Sequence, residues 1–307
     1  MRWRTSTAMP VPDWDSLQAP AEALDAELHS FWSSAARAWL EALAGALGSH
    51  YVIAESAQFM LLSTLRLRER RLALEYAERT RKRVLEVLPG IAQDAGYGKT
   101  AILVFDSAQQ YYEYIARIYP DSSEHGEFAF SSGMFIDDGY GHFVFVADEL
   151  RQLETIVAHE LTHCLMCHLP LPAWVNEGIA VNTEHRLCPP QASLFTADEL
   201  RNKHTAFWNE HTIQEFWAGK SWLRPDDGNL LSYDLAKTFI NLAAQDWSAF
   251  VDFVNAANNA DGAEAAALEH LGYPVAHLAE AVLGTGRWAP DPACWRDGVE
   301  RGQFRAR

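Results

Sequence analysis

The N-terminal quarter of the chain contains one long helical pattern between more polar stretches. From Pro20 to Leu47, large apolar residues recur every three or four positions, which predicts an amphipathic helix that ends at Gly48. Residues 1–20 are rich in Pro, Ser and Asp and predict a poorly ordered lead-in. Residues 50–53 predict a short strand. Residues 57–88 predict a long helix with Arg and Glu on one face and apolar residues on the other.

The middle of the chain carries two apolar runs that are typical of buried strands, residues 101–105 and residues 141–146. Between them, Ser107 can cap a helix that continues to Ile118. Residues 120–141 are rich in glycine and predict a loop.

Beyond residue 190 the pattern is mostly helical. A capping-box-like start at Thr196–Glu199 predicts one helix, residues 230–244 a second, and residues 247–283 two more. We therefore predict an α+β protein in which a small mixed sheet is followed by a mostly helical C-terminal lobe. The predicted segments are 1–50, a lead-in and helix; 51–190, a sheet-containing lobe with the two site helices described below; and 191–307, the helical lobe.

The composition narrows the choice of partner. The 307 residues are 49% hydrophobic and 12% aromatic, which is typical of a globular protein. A formal net charge of −16 argues against nucleic acid and anionic membranes as partners, because both would be repelled. The sequence shows neither an apolar run of membrane-spanning length nor a signal peptide, so we expect a cytoplasmic protein. The oligomeric state is left open.

The candidate chemistry lies in the stretch from Glu154 to His163, which reads ETIVAHELTH. His159 and His163 are four residues apart, so on a helix their imidazoles stand on one face, one turn apart. Two such nitrogens can bind one zinc ion, and catalytic zinc keeps a further position for water. Glu160 is then placed to take a proton from that water. The apolar residues around this triplet predict a helix buried beneath a cleft.

A second acidic motif supplies a third candidate ligand. Residues 169–172 read LPLP and end the first helix, because proline cannot continue it. A new helical segment starts at Ala173 and presents Glu177, fourteen residues after His163. A carboxylate from a neighbouring helix would complete a His₂Glu zinc site.

These motifs resemble the gluzincin metallopeptidases, and more narrowly the peptidase-MA-like group. The match consists of HELTH at 159–163 and PAWVNEGIA at 172–180. The resemblance implies a zincin-like fold, Zn²⁺ held by His159, His163 and Glu177, and Glu160 as general base in peptide-bond hydrolysis. It also suggests Tyr233 as the group that stabilises the oxyanion, although a buried structural tyrosine would look the same in sequence. Finally, it assigns substrate binding to a sheet edge near Phe128–Ile136 or Gly141–Val146, where an ordinary core strand is the alternative.

Competing interpretations remain. The main hypothesis is a zinc peptidase acting on a peptide or protein substrate. The alternative is a zincin-like domain that binds peptides or proteins, with structural zinc and little or no catalysis. The Cys164–Cys167 CxxC motif is interpreted as packing rather than redox chemistry, because no second CxxC accompanies it. Peptide deformylase also uses HExxH but needs an upstream cysteine ligand. No cysteine precedes Cys164, so we reject this interpretation.

Overall fold

A computed structural model describes residues 2–4, 9–22, 27–94, 98–118, 133–146, 153–188 and 195–295. The described chain is an α+β protein with one five-stranded sheet, as predicted. It divides into two compact units, residues 1–86 with 94–164 and residues 87–93 with 165–307. The three segments predicted from the sequence stay a prediction. In the part of the chain that the structure describes, no helix combines the length and apolar character needed to cross a bilayer.

The first unit is built on a mixed sheet. Its strands are β1 (Val52–Glu55), β2 (Phe59–Ser63), β3 (Thr100–Phe105), β4 (Gly133–Asp137) and β5 (Gly141–Val146). Their order across the sheet is β1-β2-β3-β5-β4. The central pairs β2–β3 and β3–β5 are parallel, whereas β1–β2 and β4–β5 are antiparallel. Strand β4 therefore lies at one end of the described sheet and β5 lies inside it.

Helices accompany the sheet in this unit. They are α1 (Asp15–Glu22), α2 (Leu28–Leu47), α3 (Leu67–Val87), α4 (Ala108–Ile118) and α5 (Leu153–Met166), of which the last two residues fall in the second unit. The helix predicted over Pro20–Leu47 is wrong at its start, because α1 ends at Glu22 and α2 begins at Leu28. Its predicted end is confirmed, since Gly48 follows α2 at φ 127° and its N–H bonds to the carbonyl of Ala44. The predicted cap of α4 is confirmed as well, because Ser107 Oγ accepts from the N–H of Gln110 at 3.3 Å.

An aromatic cluster forms the core beneath one face of the sheet. Trp14 is only 2% exposed, and its ring stacks on Tyr140 with centroids 5.0 Å apart. The ring of Trp39 lies nearly perpendicular to that of Trp14, with ring centroids 5.6 Å apart. The prediction of a poorly ordered lead-in is therefore wrong for residues 9–22, because burial of a tryptophan supplies the apolar area that orders this segment.

Two sequence predictions in this unit are corrected by the sheet. The predicted helix over residues 57–88 begins only at Leu67, because residues 59–63 form the fully buried strand β2. A short apolar run without β-branched residues fits a buried strand as well as a helix, so periodicity alone could not separate them. The predicted loop over residues 120–141 is wrong at residues 133–137, which form β4; residues 119–132 lie outside the described chain.

The described residues of the second unit form helices and connecting segments. Its helices are α6 (Ala173–Leu187), α7 (Ala197–Phe207), α8 (Thr212–Trp217), α9 (Asp227–Ala243), α10 (Trp247–Ala256), α11 (Glu264–Ala266) and α12 (Val275–Leu283). The capping box predicted at the start of α7 is confirmed in both of its hydrogen bonds. Aromatic side chains fill the core of this unit, where Trp217 and Phe239 stack with ring centroids 5.9 Å apart.

Candidate metal centre

Helix α5 carries the HExxH motif and is buried on most sides, as its apolar composition predicted. Ile156, Val157, Ala158 and Leu161 are each no more than 9% exposed. Thr162 is fully buried as well, and its hydroxyl is satisfied by donating to the carbonyl of Ala158 at 2.7 Å. A helix enclosed in this way holds its few polar side chains in fixed directions.

The two histidines of the motif stand one turn apart on α5, and both are partly buried. The ring centroids of His159 and His163 are 4.8 Å apart, and the ring planes are inclined at 77°. Neighbouring imidazoles at this spacing can direct one nitrogen each toward a common point. The two rings therefore lie on one face of α5, and their role as metal ligands stays a prediction.

Glu160 lies beside His159 and is held by the sheet. Its Oε2 accepts a hydrogen bond from the main-chain N–H of Phe135 in β4, with a donor–acceptor distance of 2.7 Å. A hydrogen bond to a carboxylate is charge-assisted and is stronger than one between neutral groups. This contact was not predicted, because the glycine-rich stretch that includes residues 133–137 indicated a loop.

Helix α6 begins directly after Pro172 and positions the third candidate ligand. Pro172 is the N-cap residue, in extended conformation, and Trp174 then anchors the first turn. The Trp174 side chain is fully buried and donates from Nε1 to the carbonyl of Gly262 at 3.0 Å. Glu177 follows three residues later and is partly buried. The tryptophan of the motif therefore fixes the helical turn from which Glu177 projects.

Gly178 allows α6 to approach α9 closely. A Cβ atom at Gly178 would lie 2.6 Å from the carbonyl oxygen of Ala236 and 2.6 Å from Cγ1 of Ile240. Asn182, one turn further along α6, donates from Nδ2 to the carbonyls of Gly178 and Lys237 at 2.8 and 2.9 Å. The glycine and the asparagine thus hold the segment around Glu177 against α9. Neither role was predicted from the sequence.

The three predicted ligands come together. One ring nitrogen each of His159 and His163 and one carboxylate oxygen of Glu177 all lie within 4.8 Å of one another. Two imidazole nitrogens and a carboxylate oxygen are a donor set that zinc accepts. In a tetrahedral zinc site the ligand atoms are about 3.4 Å from one another. The three donor atoms would therefore have to move on the order of 1 Å to bind one zinc ion. The residue types and the grouping of their donor atoms therefore fit a zinc ion.

Tyr233 is partly buried on α9, where the edge of its ring meets Trp222 with centroids 6.3 Å apart. It lies three residues before Ala236, which places it on the side of α9 that approaches α6 at Gly178. Its assignment as the oxyanion-stabilising group stays a prediction.

The predicted substrate edge is resolved in part. Residues 141–146 form β5, which lies between β3 and β4, so they are an interior strand. Residues 133–136 belong to β4, which is the last strand of the described sheet on that side. Residues 128–132 of the predicted edge lie outside the described chain.

His204 illustrates a histidine that is satisfied by the fold. It is 6% exposed, and its Nδ1 accepts from Nε1 of Trp208 at 2.8 Å. Since Nδ1 is the acceptor, Nε2 carries the proton and donates to Oδ2 of Asp234 at 3.0 Å. Both ring nitrogens are occupied by these partners within the fold.

Comparison of the whole chain with protein-family models and with curated proteins gives no match. The motif residues and their geometry are therefore the basis for inferring a function.

Proposed function

We propose that this protein is a zinc-dependent peptidase of the gluzincin type, with a zincin-like first unit. The observation that carries the proposal is the grouping of one donor atom each from His159, His163 and Glu177 within 4.8 Å. The resemblance of HELTH and PAWVNEGIA to the peptidase-MA-like motifs supports the same conclusion.

Zinc would be held by His159, His163 and Glu177, whose donor set it accepts. When bound there, zinc supplies a Lewis acid that polarises a substrate carbonyl and makes a water molecule acidic near neutral pH. The protein supplies the remaining parts of the reaction.

Glu160 is the proton-transfer group in this proposal. It takes a proton from the attacking water and delivers it to the leaving amine. Tyr233 donates a hydrogen bond to the oxygen that becomes negatively charged during attack. Strand β4 offers main-chain groups to an extended peptide, since it is the last described strand of the sheet on its side.

The proposal is tested by peptide hydrolysis with Glu160→Gln. We expect the wild type to cleave members of a peptide library, as measured by mass spectrometry, and we expect Glu160→Gln to bind zinc but cleave none of them. The matched control is Glu154→Gln, on the exposed first turn of the same helix, which should cleave like the wild type. Cleavage by Glu160→Gln would contradict the role of Glu160. A zinc-loaded wild type that binds peptides without cleaving them would favour the alternative, a peptide- or protein-binding domain with structural zinc.

A further inference from the structure

The carboxylate of Glu160 accepts a hydrogen bond from the main chain of β4. Oε2 of Glu160 lies 2.7 Å from the nitrogen of Phe135. Phe135 is the central residue of β4, and its ring packs against Phe143 of β5 with centroids 5.5 Å apart. The same residue therefore contributes its side chain to the core and its N–H to Glu160.

The register of the sheet explains why this N–H is available. In an antiparallel pair, directly opposed residues alternate between hydrogen-bonded and non-hydrogen-bonded pairs. Phe135 stands opposite Phe143, and its N–H is directed to Glu160, so this is a non-hydrogen-bonded pair. In such a pair the main-chain groups of Phe135 point away from β5, and this orientation is consistent with the bond to Glu160.

A second contact fixes the position of α5 along β4. A Cβ atom at Gly133 would lie 2.6 Å from Cγ2 of Ile156, so strand and helix approach closely at this point. Gly133 precedes Phe135 by two residues, about 6.7 Å along a strand. Ile156 precedes Glu160 by four residues, about 6 Å along a helix. The two contacts thus match in spacing, and packing at Gly133 fixes the position at which Glu160 meets Phe135.

We propose that the main-chain N–H of Phe135 is the positioning group for Glu160. This inference rests on the proposed function, in which Glu160 transfers the proton. The N–H holds Oε2 in one place, and Oε1 is the oxygen that takes and returns the proton. A carboxylate held by the scaffold does not have to be ordered during the reaction, so its pre-organisation lowers the barrier. Phe135 acts through Glu160 and is not itself a catalytic residue.

The contact is tested first by amide hydrogen exchange at Phe135, measured by NMR on the metal-free protein. We expect the Phe135 amide to exchange at least about tenfold faster in Glu160→Ala than in the wild type, because the acceptor is removed. Glu160→Gln keeps an acceptor oxygen and should fall between the two. Equal exchange rates in all three proteins would overturn the proposal. This measurement needs neither zinc nor turnover, so it decides the proposal even if no peptide is cleaved.

The consequence for catalysis is tested by Phe135→Pro against Phe135→Ala. Both variants lose the ring, but only proline removes the N–H, and proline is tolerated where a strand's N–H points away from the ladder. We expect kcat of Phe135→Pro to be about 10- to 100-fold below that of Phe135→Ala, with similar KM. Equal kcat values in two folded variants would overturn the positioning role. If Phe135→Pro does not fold, the exchange rates of the Glu160 variants decide the question. An inactive wild type would instead count against the proposed function.

Discussion

Replacement of Gly178 by alanine tests the packing that holds Glu177. In a helix with open surroundings, Gly→Ala stabilises by roughly 0.5–1 kcal/mol, because glycine loses more backbone entropy on folding. At Gly178, however, the new Cβ would lie 2.6 Å from a main-chain oxygen of Ala236. Real Cβ atoms essentially never approach closer than 3.0 Å, so α6 and α9 must separate by several tenths of an ångström. Overpacking of this kind costs about 1–3 kcal/mol.

The net expectation is that Gly178→Ala lowers the free energy of unfolding by up to about 2 kcal/mol, and weakens zinc binding because Glu177 moves with α6. Gly45→Ala is the matched control, since Gly45 lies in α2 and a Cβ there would meet nothing within 4 Å. The control should gain roughly 0.5–1 kcal/mol. Urea unfolding of both variants isolates the cost of the close approach as their difference, about 1–3 kcal/mol. Equal stabilisation of both variants would refute the close approach of α6 to α9.

Two further predictions concern buried polar groups. Burial lowers the pKa of His142 from 6.5 to about 4, so the unfolded chain binds a proton that the folded chain does not. The free energy of unfolding should therefore fall by roughly 3 kcal/mol as the pH drops from 6.5 to 4. In thermal unfolding, His142→Gln should lose less stability over this range than the wild type. Parallel pH profiles of the two proteins would contradict this. Trp174→Phe keeps the aromatic packing but removes the donor to the carbonyl of Gly262. Because that carbonyl is left unsatisfied, we expect urea unfolding to show a loss of about 1–3 kcal/mol in the free energy of unfolding. An unchanged urea midpoint would contradict the role of this hydrogen bond in holding the first turn of α6.

The helices that carry the candidate ligands could be predicted because their signals are local. The spacing of His159 and His163 fixes their common face once α5 is a helix, and Pro172 fixes where α6 begins. Glu177 then falls in the second turn of α6, four residues after the helix begins.

The contacts that hold the site in place could not be predicted, because they join residues far apart in sequence. The donor to Glu160 is a main-chain N–H in β4, a strand set among glycines that predicted a loop. The need for glycine at position 178 depends on the carbonyl of Ala236, which lies 58 positions away, and sequence pattern contains no information on such an approach. Main-chain partners leave no residue-type signature, so even the correct strand assignment would not have identified them.

Metal content measures directly whether His159, His163 and Glu177 bind one zinc ion together. Zinc per chain is determined by mass spectrometry of the purified protein after dialysis, for the wild type, His159→Ala and Glu177→Ala. We expect one zinc per wild-type chain and much less in both variants, because each variant lacks one of the three proposed ligands. A Glu177→Ala protein that retains zinc as the wild type does, or a wild type that binds none, would contradict a zinc site formed by these three residues.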